Sequence, residues 1–248
     1  MTNNRMNIER FQRIINNYHK KDSKAIGTLS EKTLHAILKE YLEENQLYHE
    51  VKVENFYADI CKDNNIIEIQ TRSLNKLRPK LDIFLKKYDV TICYPINHIK
   101  YLEWIDCETG EVSARRKSPK VGKIADMFYE LYKIKMYINN PHFHFKVLLV
   151  DVVEYRNLDG WSENKKRGSS RYERIPLNLV EEVNFDVIAD YSVFLEGLDE
   201  EFTNEDFAKH QKINIRYASI GTNILCSLGL IEKYKKAGRK IVYKKTRS

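Results

Sequence analysis

Three polar side chains on two short apolar runs form the strongest chemical pattern in this sequence. Asp59 sits within Phe56 to Cys61, and Glu68 and Gln70 sit within Ile66 to Gln70. Between the runs lies Lys62-Asp63-Asn64-Asn65, the composition of a hairpin turn. If the loop is Asp63-Asn64, or all of Lys62 to Asn65, Asp59 stands opposite Glu68. If it is Asn64-Asn65, Asp59 stands opposite Gln70. Any even-length loop therefore puts Asp59, Glu68 and Gln70 on one sheet face and Ala58, Ile60, Ile67 and Ile69 on the other, as a core face. An odd loop or a bulge breaks this arrangement. Two carboxylates facing each other repel. A divalent cation reverses that sign, and Mg²⁺ is commonly held by one or two carboxylates with water and phosphate oxygens. Glu31 is the third acid. It lies one turn before Leu34 and two before Leu38, on the inward stripe of a predicted helix. Each acid alone also has a plain structural role. Glu31 closes a Thr28-Leu29-Ser30-Glu31 capping box, and Asp59 and Glu68 face solvent on an edge hairpin.

Holding such a cluster takes strands and flanking helices. Residues 8–20 place Ile8, Phe11, Ile14, Ile15 and Tyr18 on one helical stripe. A second helix beginning near Ser30 repeats the spacing with Leu34, Ile37, Leu38, Tyr41 and Leu42. Beyond the two short strands, Leu77, Leu81, Phe84, Leu85 and Tyr88 return to helical spacing, with Pro79 in the first turn. Val90 to Tyr94 reads as a strand ended by Pro95, and Tyr101 to Ile105 with Glu111 to Ala114 as a hairpin. Val121 to Ile138 reads as one long helix and Phe143 to Tyr155 as an apolar strand. This order predicts a mixed α/β domain. The polar stretch Asn157 to Glu173 is its expected boundary, with helical patterns following around Leu179 and from Phe185 to Leu195.

A helix bearing Glu, a hairpin bearing Asp and then Glu-X-Lys, and a further helix resemble the PD-(D/E)XK, or restriction-endonuclease-like, nuclease superfamily. In this chain the pattern reads Glu31, Asp59 and Glu68-Ile69-Gln70, over roughly residues 25–95. Ala58 stands where the motif has Pro, and Gln70 where it commonly has Lys. The resemblance implies a restriction-endonuclease-like mixed sheet flanked by helices over residues 1–175, and Mg²⁺-dependent cleavage of DNA, in a restriction or defence role. By the same resemblance, Asp59 and Glu68 bind Mg²⁺, or Mn²⁺ in its place, with the Ile69 carbonyl. Gln70 orients the attacking water, and Glu31 serves a second ion or an outer-shell water. Some restriction endonucleases of the superfamily carry Glu-X-Gln, and inactive relatives also lose the Lys. The alternative is therefore a catalytically inactive, nuclease-like DNA-binding protein or regulator; a third reading is a nuclease acting on RNA. Cutting both strands of a duplex takes two sites, which makes a homodimer a candidate assembly.

The last part of the chain has its own pattern. Thr203-Asn204-Glu205-Asp206 opens a short helix, Lys212-Ile213-Asn214 makes a turn, and Arg216 to Leu228 forms a second helix ended by Gly229. Leu230-Ile231 begins a strand, Gly238 turns the chain, and Lys240 to Lys244 returns. This succession resembles a winged helix-turn-helix domain over residues 176–248. From Lys233 to Arg247 there are eight basic residues and no acid, so Lys235, Lys236, Arg239 and Lys240 are expected to lie against DNA phosphates. Arg216, Tyr217, Ser219, Thr222 and Asn223 are expected to face a groove. The rival role of such a domain is dimerisation or packing.

The remaining signals are broader. A formal charge of +7 favours anionic partners. Arg115-Arg116-Lys117, with Lys120 and Lys123, forms one basic loop. Arg156, Lys165, Lys166, Arg167, Arg171 and Arg174 form another, around Trp161; either is suited to clamp a backbone. His142 and His144 share a strand face. Cys61, Cys93, Cys107 and Cys226 are dispersed without a CxxC pair, which predicts reduced thiols in a cytoplasmic protein. No apolar run is long enough for a membrane span.

Overall fold

The structure is a computed structural model that describes residues 2–21, 33–161 and 167–246. Glu31 and its capping partner Thr28 lie outside the described residues, as do Lys165 and Lys166. The fold is mixed α/β. The chain forms two compact units, each assembled from three segments: Met1–His49, Asn97–Gly122 and Leu148–Glu182 in the first, and Glu50–Ile96, Lys123–Val147 and Val183–Ser248 in the second.

The first unit opens with α1 (Thr2–Lys21) and α2 (Thr33–Leu42). Their apolar stripes meet as the sequence predicts: Phe11 packs edge-on against Tyr41 with ring centroids 5.1 Å apart, among buried Ile14, Ile15, Leu34, Ile37 and Leu38. Tyr41 donates a 2.6 Å hydrogen bond to Glu182.

The main sheet has seven strands: β1 (His49–Val53), β2 (Phe56–Lys62), β3 (Asn65–Ile69), β4 (Asp89–Ile105), β5 (Arg116–Val121), β6 (Phe143–Trp161) and β7 (Arg167–Phe185). Its order is β1-β2-β3-β4-β6-β7, with β5 paired to β4. β3 and β4 run parallel, in register from Asn65↔Asp89 to Ile69↔Cys93. A parallel pair needs a crossover, and α3 (Arg78–Phe84) supplies it, with Pro79 in its first turn as expected.

Several expected elements are redrawn. β4 continues through Pro95, because that residue falls after the last pairing with β3, at Cys93, and before the first with β5, at Ile99. Val121 ends β5 and does not start a helix. The helix expected from there to Ile138 is broken into 3-10 turns at Ile124–Met127 and Tyr132–Tyr137 around a single α-turn, α4 (Phe128–Leu131), with Ile134 non-helical at φ −124, ψ 20. Most of the expected boundary at Asn157 to Glu173 lies in two long strands, and β7 runs straight through position 175/176. Leu179 is a buried strand residue, and Ile188–Leu195 is a 3-10 helix.

The C-terminal segment follows its predicted order closely. A short strand, β8 (Glu201–Thr203), leads into α5 (Asn204–Gln211), α6 (Ile215–Ser227), β9 (Ile231–Ala237) and β10 (Lys240–Lys245), with sheet order β8-β10-β9. Thr203 and Asp206 form the reciprocal cap at the start of α5. Gly229 takes φ +72 just past α6. Gly221 is there for close approach: a Cβ at this position would stand 2.9 Å from the Phe128 ring and 3.0 Å from that of Phe207. α6 is thereby seated on α4 within the second unit.

Candidate active site

β2 and β3 pair as Ile60↔Ile67, Cys61↔Ile66 and Lys62↔Asn65. The loop is therefore Asp63-Asn64, one of the two readings that set Asp59 opposite Glu68. Asp63 takes a positive φ of 52° in the turn, which an Asp side chain tolerates. Past Ile60↔Ile67 the ladder gives way to a side chain: the Asp59 carboxylate accepts the Ile69 N–H at 2.7 Å. Asp59 is thus fixed on the strand that carries Glu68.

Glu68 is 2% exposed. On its side of β3, Ile66 is buried too, so this face is covered where the sequence pattern expected an open one. The cover includes Lys80 of α3, whose Nζ lies 2.9 and 2.8 Å from the two Glu68 oxygens and donates to the Tyr57 carbonyl at 2.6 Å. Three acceptors match the three N–H donors of an ammonium. Burial, then the charge of Asp59, pushes the Glu68 carboxyl up to about 7, against the pull of Lys80.

Lys80 is the residue that the sequence pattern misses. The signal for it is the one used for Glu31: Lys80 is three residues after Leu77 and four before Phe84, on the inward stripe of its helix. Gln70, by contrast, is engaged with main chain. Its backbone N–H donates to the Cys93 carbonyl at 3.0 Å, and its side-chain amide donates to the Arg72 carbonyl at 2.6 Å. The structure therefore brings Asp59 and Glu68 together, adds Lys80, and directs the Gln70 amide to main chain.

The residues expected to contact DNA fall into three groups. Thr222 is corrected: it is fully buried, and its hydroxyl donates to Asn204 Oδ1 at 2.7 Å, because it lies on the inner side of α6 beside Gly221. Arg216, Tyr217 and Asn223 meet the broken helical segment. Tyr217 stacks on Tyr129 at 5.1 Å, Arg216 lies 5.6 Å over the same ring, and Asn223 accepts from Lys135 at 2.8 Å. In the basic hairpin, Lys235 pairs with Glu201 at 2.5 Å and Lys240 with Glu205 at 3.1 Å. Lys236 and Arg239 are exposed and make no ion pair among the described residues. Tyr234, half exposed, sits under Lys235 and Lys244, each 5.1 Å from its ring. His142 pairs with Asp89 at 2.8 Å, and His144 lies near both Asp89 and Asp186.

Residues 32–186, more than half of the chain, match the model of a family described as Domain of unknown function (DUF8091). The chain belongs to this family. The matched region holds Asp59, Glu68, Gln70 and Lys80 and ends before the C-terminal helices. An uncharacterized protein of Treponema pallidum (strain Nichols) is 27% identical over 225 residues, covering 89% of this chain and 87% of that protein. A match of that extent cannot fit within the first 186 residues, so the similarity reaches into the C-terminal segment. No solved structure matches the chain.

Proposed function

We propose that this chain is a metal-dependent nuclease of the PD-(D/E)XK kind, with Lys80 in place of the motif lysine. One observation carries the reading: a lysine from the crossover helix holds both oxygens of a buried glutamate that stands opposite an aspartate across a hairpin. The donor set suits a divalent cation. Two facing carboxylates, one of them pushed toward its neutral form by burial and then by the other, are a pair that a hard cation stabilises. Among the described residues no third acid, His or Cys converges there. Asp59 and Glu68 would hold Mg²⁺, which when bound stabilises phosphoryl charge and acidifies a water. The chain's own residues do the rest. Lys80 sets a positive charge beside the scissile phosphate, where charge builds in the transition state. The Tyr57 carbonyl and Glu68 hold its ammonium in place. The Asp59 bond to Ile69 keeps the two strands at a fixed spacing.

The C-terminal segment supports a DNA substrate. Its elements run in the order of a winged helix, but most of the polar positions on α6 are engaged inside the unit or buried. DNA contact is therefore assigned to the basic hairpin: Lys236 and Arg239 for phosphates and Tyr234 for stacking. A non-catalytic DNA-binding scaffold is the second reading, favoured by the engagement of the Gln70 amide with the Arg72 carbonyl.

The test is incubation with supercoiled plasmid, with Mg²⁺ or with chelator. Wild type should nick or linearise it only with Mg²⁺, and Asp59→Ala should not. Lys80→Ala should be slower by about 100- to 1000-fold, the usual loss when a charge-stabilising group is removed. Mg²⁺-independent cutting, or Lys80→Ala at wild-type rate, would overturn the reading. No cutting, with DNA affinity retained, would favour the scaffold. Replacing Lys236 and Arg239 by Ala should lower the salt slope of DNA binding by about 0.9 per lost phosphate contact.

A further inference from the structure

The first unit holds a second buried acid in a different setting. Glu154 on β6 is 2% exposed. Arg174 of β7 donates to it at 2.8 Å, Arg156 lies 3.3 Å from its other oxygen, and the Lys100 ammonium of β4 stands 3.7 Å away. β4, β6 and β7 are consecutive in the sheet, and Glu154 and Arg156 share a face by strand alternation. Among the described residues, one carboxylate faces three cations, an imbalance of two positive charges. The cations are not sealed in: their side chains are 28, 34 and 22% exposed for Lys100, Arg156 and Arg174, over a Glu154 side chain at 3%. Arg156 Nε is buried and has no hydrogen-bond acceptor among the described residues. A buried Nε that faces a carboxylate as an ion pair without making a hydrogen bond is costly, although the rest of the side chain is partly exposed. Crowding shows in Lys100 as well: burial lowers its pKa and Arg174 and Arg156 lower it further, against Glu154.

We infer that Lys100, Arg156 and Arg174 form a phosphate-binding site with Glu154 as its floor. A tetrahedral oxyanion on the exposed side would cancel the surplus charge, accept from the Arg156 fork and bridge to Lys100. Arginine's planar donor array suits such oxygens. The basic residues at Arg156 and Arg174 are thus strand residues of one built cluster, where the sequence pattern expected a loop. This inference does not depend on the nuclease reading, since its residues lie in the other unit.

The test measures thermal stabilisation and binding calorimetry of the full chain with inorganic phosphate, at constant ionic strength and with chloride as control. Wild type should be stabilised by phosphate and not by chloride. Arg156→Gln should weaken phosphate binding by about tenfold or more, corresponding to one lost charge-assisted bond. Glu154→Gln separates a ligand site from a structural ion-pair cluster. It removes the internal competitor, so phosphate should bind it more tightly than wild type and recover its lost melting temperature. The inference fails if wild type shows no phosphate-specific shift, if Arg156→Gln binds phosphate as wild type does, or if Glu154→Gln gains no affinity. A parallel titration with a labelled DNA duplex identifies the source. Arg156→Gln weakening both ligands assigns the phosphate to a nucleic-acid backbone, and weakening inorganic phosphate alone assigns it to a free phosphate group.

Discussion

Glu68 and Glu154 are equally buried, each 2% exposed, and their surroundings are opposite. Burial pushes both carboxyls up. At Glu68 the neighbouring Asp59 adds to that push, Lys80 offsets only part of it, and the carboxyl titrates near 7. At Glu154 burial is outweighed by Arg174, Lys100 and Arg156, and the carboxyl falls below its ordinary range. The difference teaches that company, more than depth, decides what a buried acid is ready to bind. Among the described residues, two acids with one cation would suit the proposed metal, and one acid with three cations would suit the inferred anion.

The largest expected effect is on stability without metal. Lys80→Ala strips Glu68 of the one cation that pairs with it among the described residues and should cost about 3 kcal/mol in urea denaturation with chelator present. Arg174→Gln leaves two cations on Glu154 and should cost about 1 kcal/mol. Equal costs would break the comparison.

The next effect is a pH slope. The folded Glu68 carboxyl, raised from 4.5 to about 7, binds its proton more tightly than the unfolded one. Its stabilising contribution is therefore full below the unfolded value and lost as pH rises through the folded one. Metal-free protein should lose up to about 3 kcal/mol from this group between about pH 5 and about pH 8. Mg²⁺ should restore it, and Asp59→Asn should flatten the slope. Glu154 has the opposite sign: its lowered carboxyl stabilises above the unfolded value, and that contribution is lost only in acid. A metal-free fold that grows more stable across the neutral range would contradict the account of Glu68.

A smaller effect comes from Asp59→Ala. Without Mg²⁺ it should lower the melting temperature slightly, because the lost charge-assisted Ile69 hydrogen bond exceeds the relief of repulsion at Glu68. With Mg²⁺ it should lower it further. A melt that ignores Mg²⁺ in both proteins would remove the metal from the comparison. The smallest effect belongs to Gln70. With its amide on the Arg72 carbonyl, Gln70→Ala should slow cleavage by less than about tenfold, well short of Lys80→Ala.

The sequence by itself determined the local features. A hairpin's register follows from its loop length, so an even turn put Asp59 on one face with Glu68 and Gln70, and the two-residue loop of the structure decided that Glu68 is the one opposite. The cap at Thr203, the stop at Gly229, the Pro79 start of α3 and the stripes of α1 and α2 were legible for the same reason: each depends on residues a turn or two apart. Tertiary structure decided what each local feature met. Lys80 was legible as inward-facing, but only the β3-α3-β4 crossover brings it over Glu68. Residues 157–161 and 167–173 read as a linker because Gly160, Gly168, Ser169 and Ser170 stand there among many charges, whereas their place in the adjacent strands β6 and β7 is a matter of long-range pairing. Thr222 was placed on the wrong side of α6 because the sequence does not say which face Gly221 presses against Phe128. The cations around Glu154 come from positions 100, 156 and 174, on three strands. Nothing within a few residues of any one of them specifies the others. Strand order and packing bring such charges together, and these rest on the burial of the whole core.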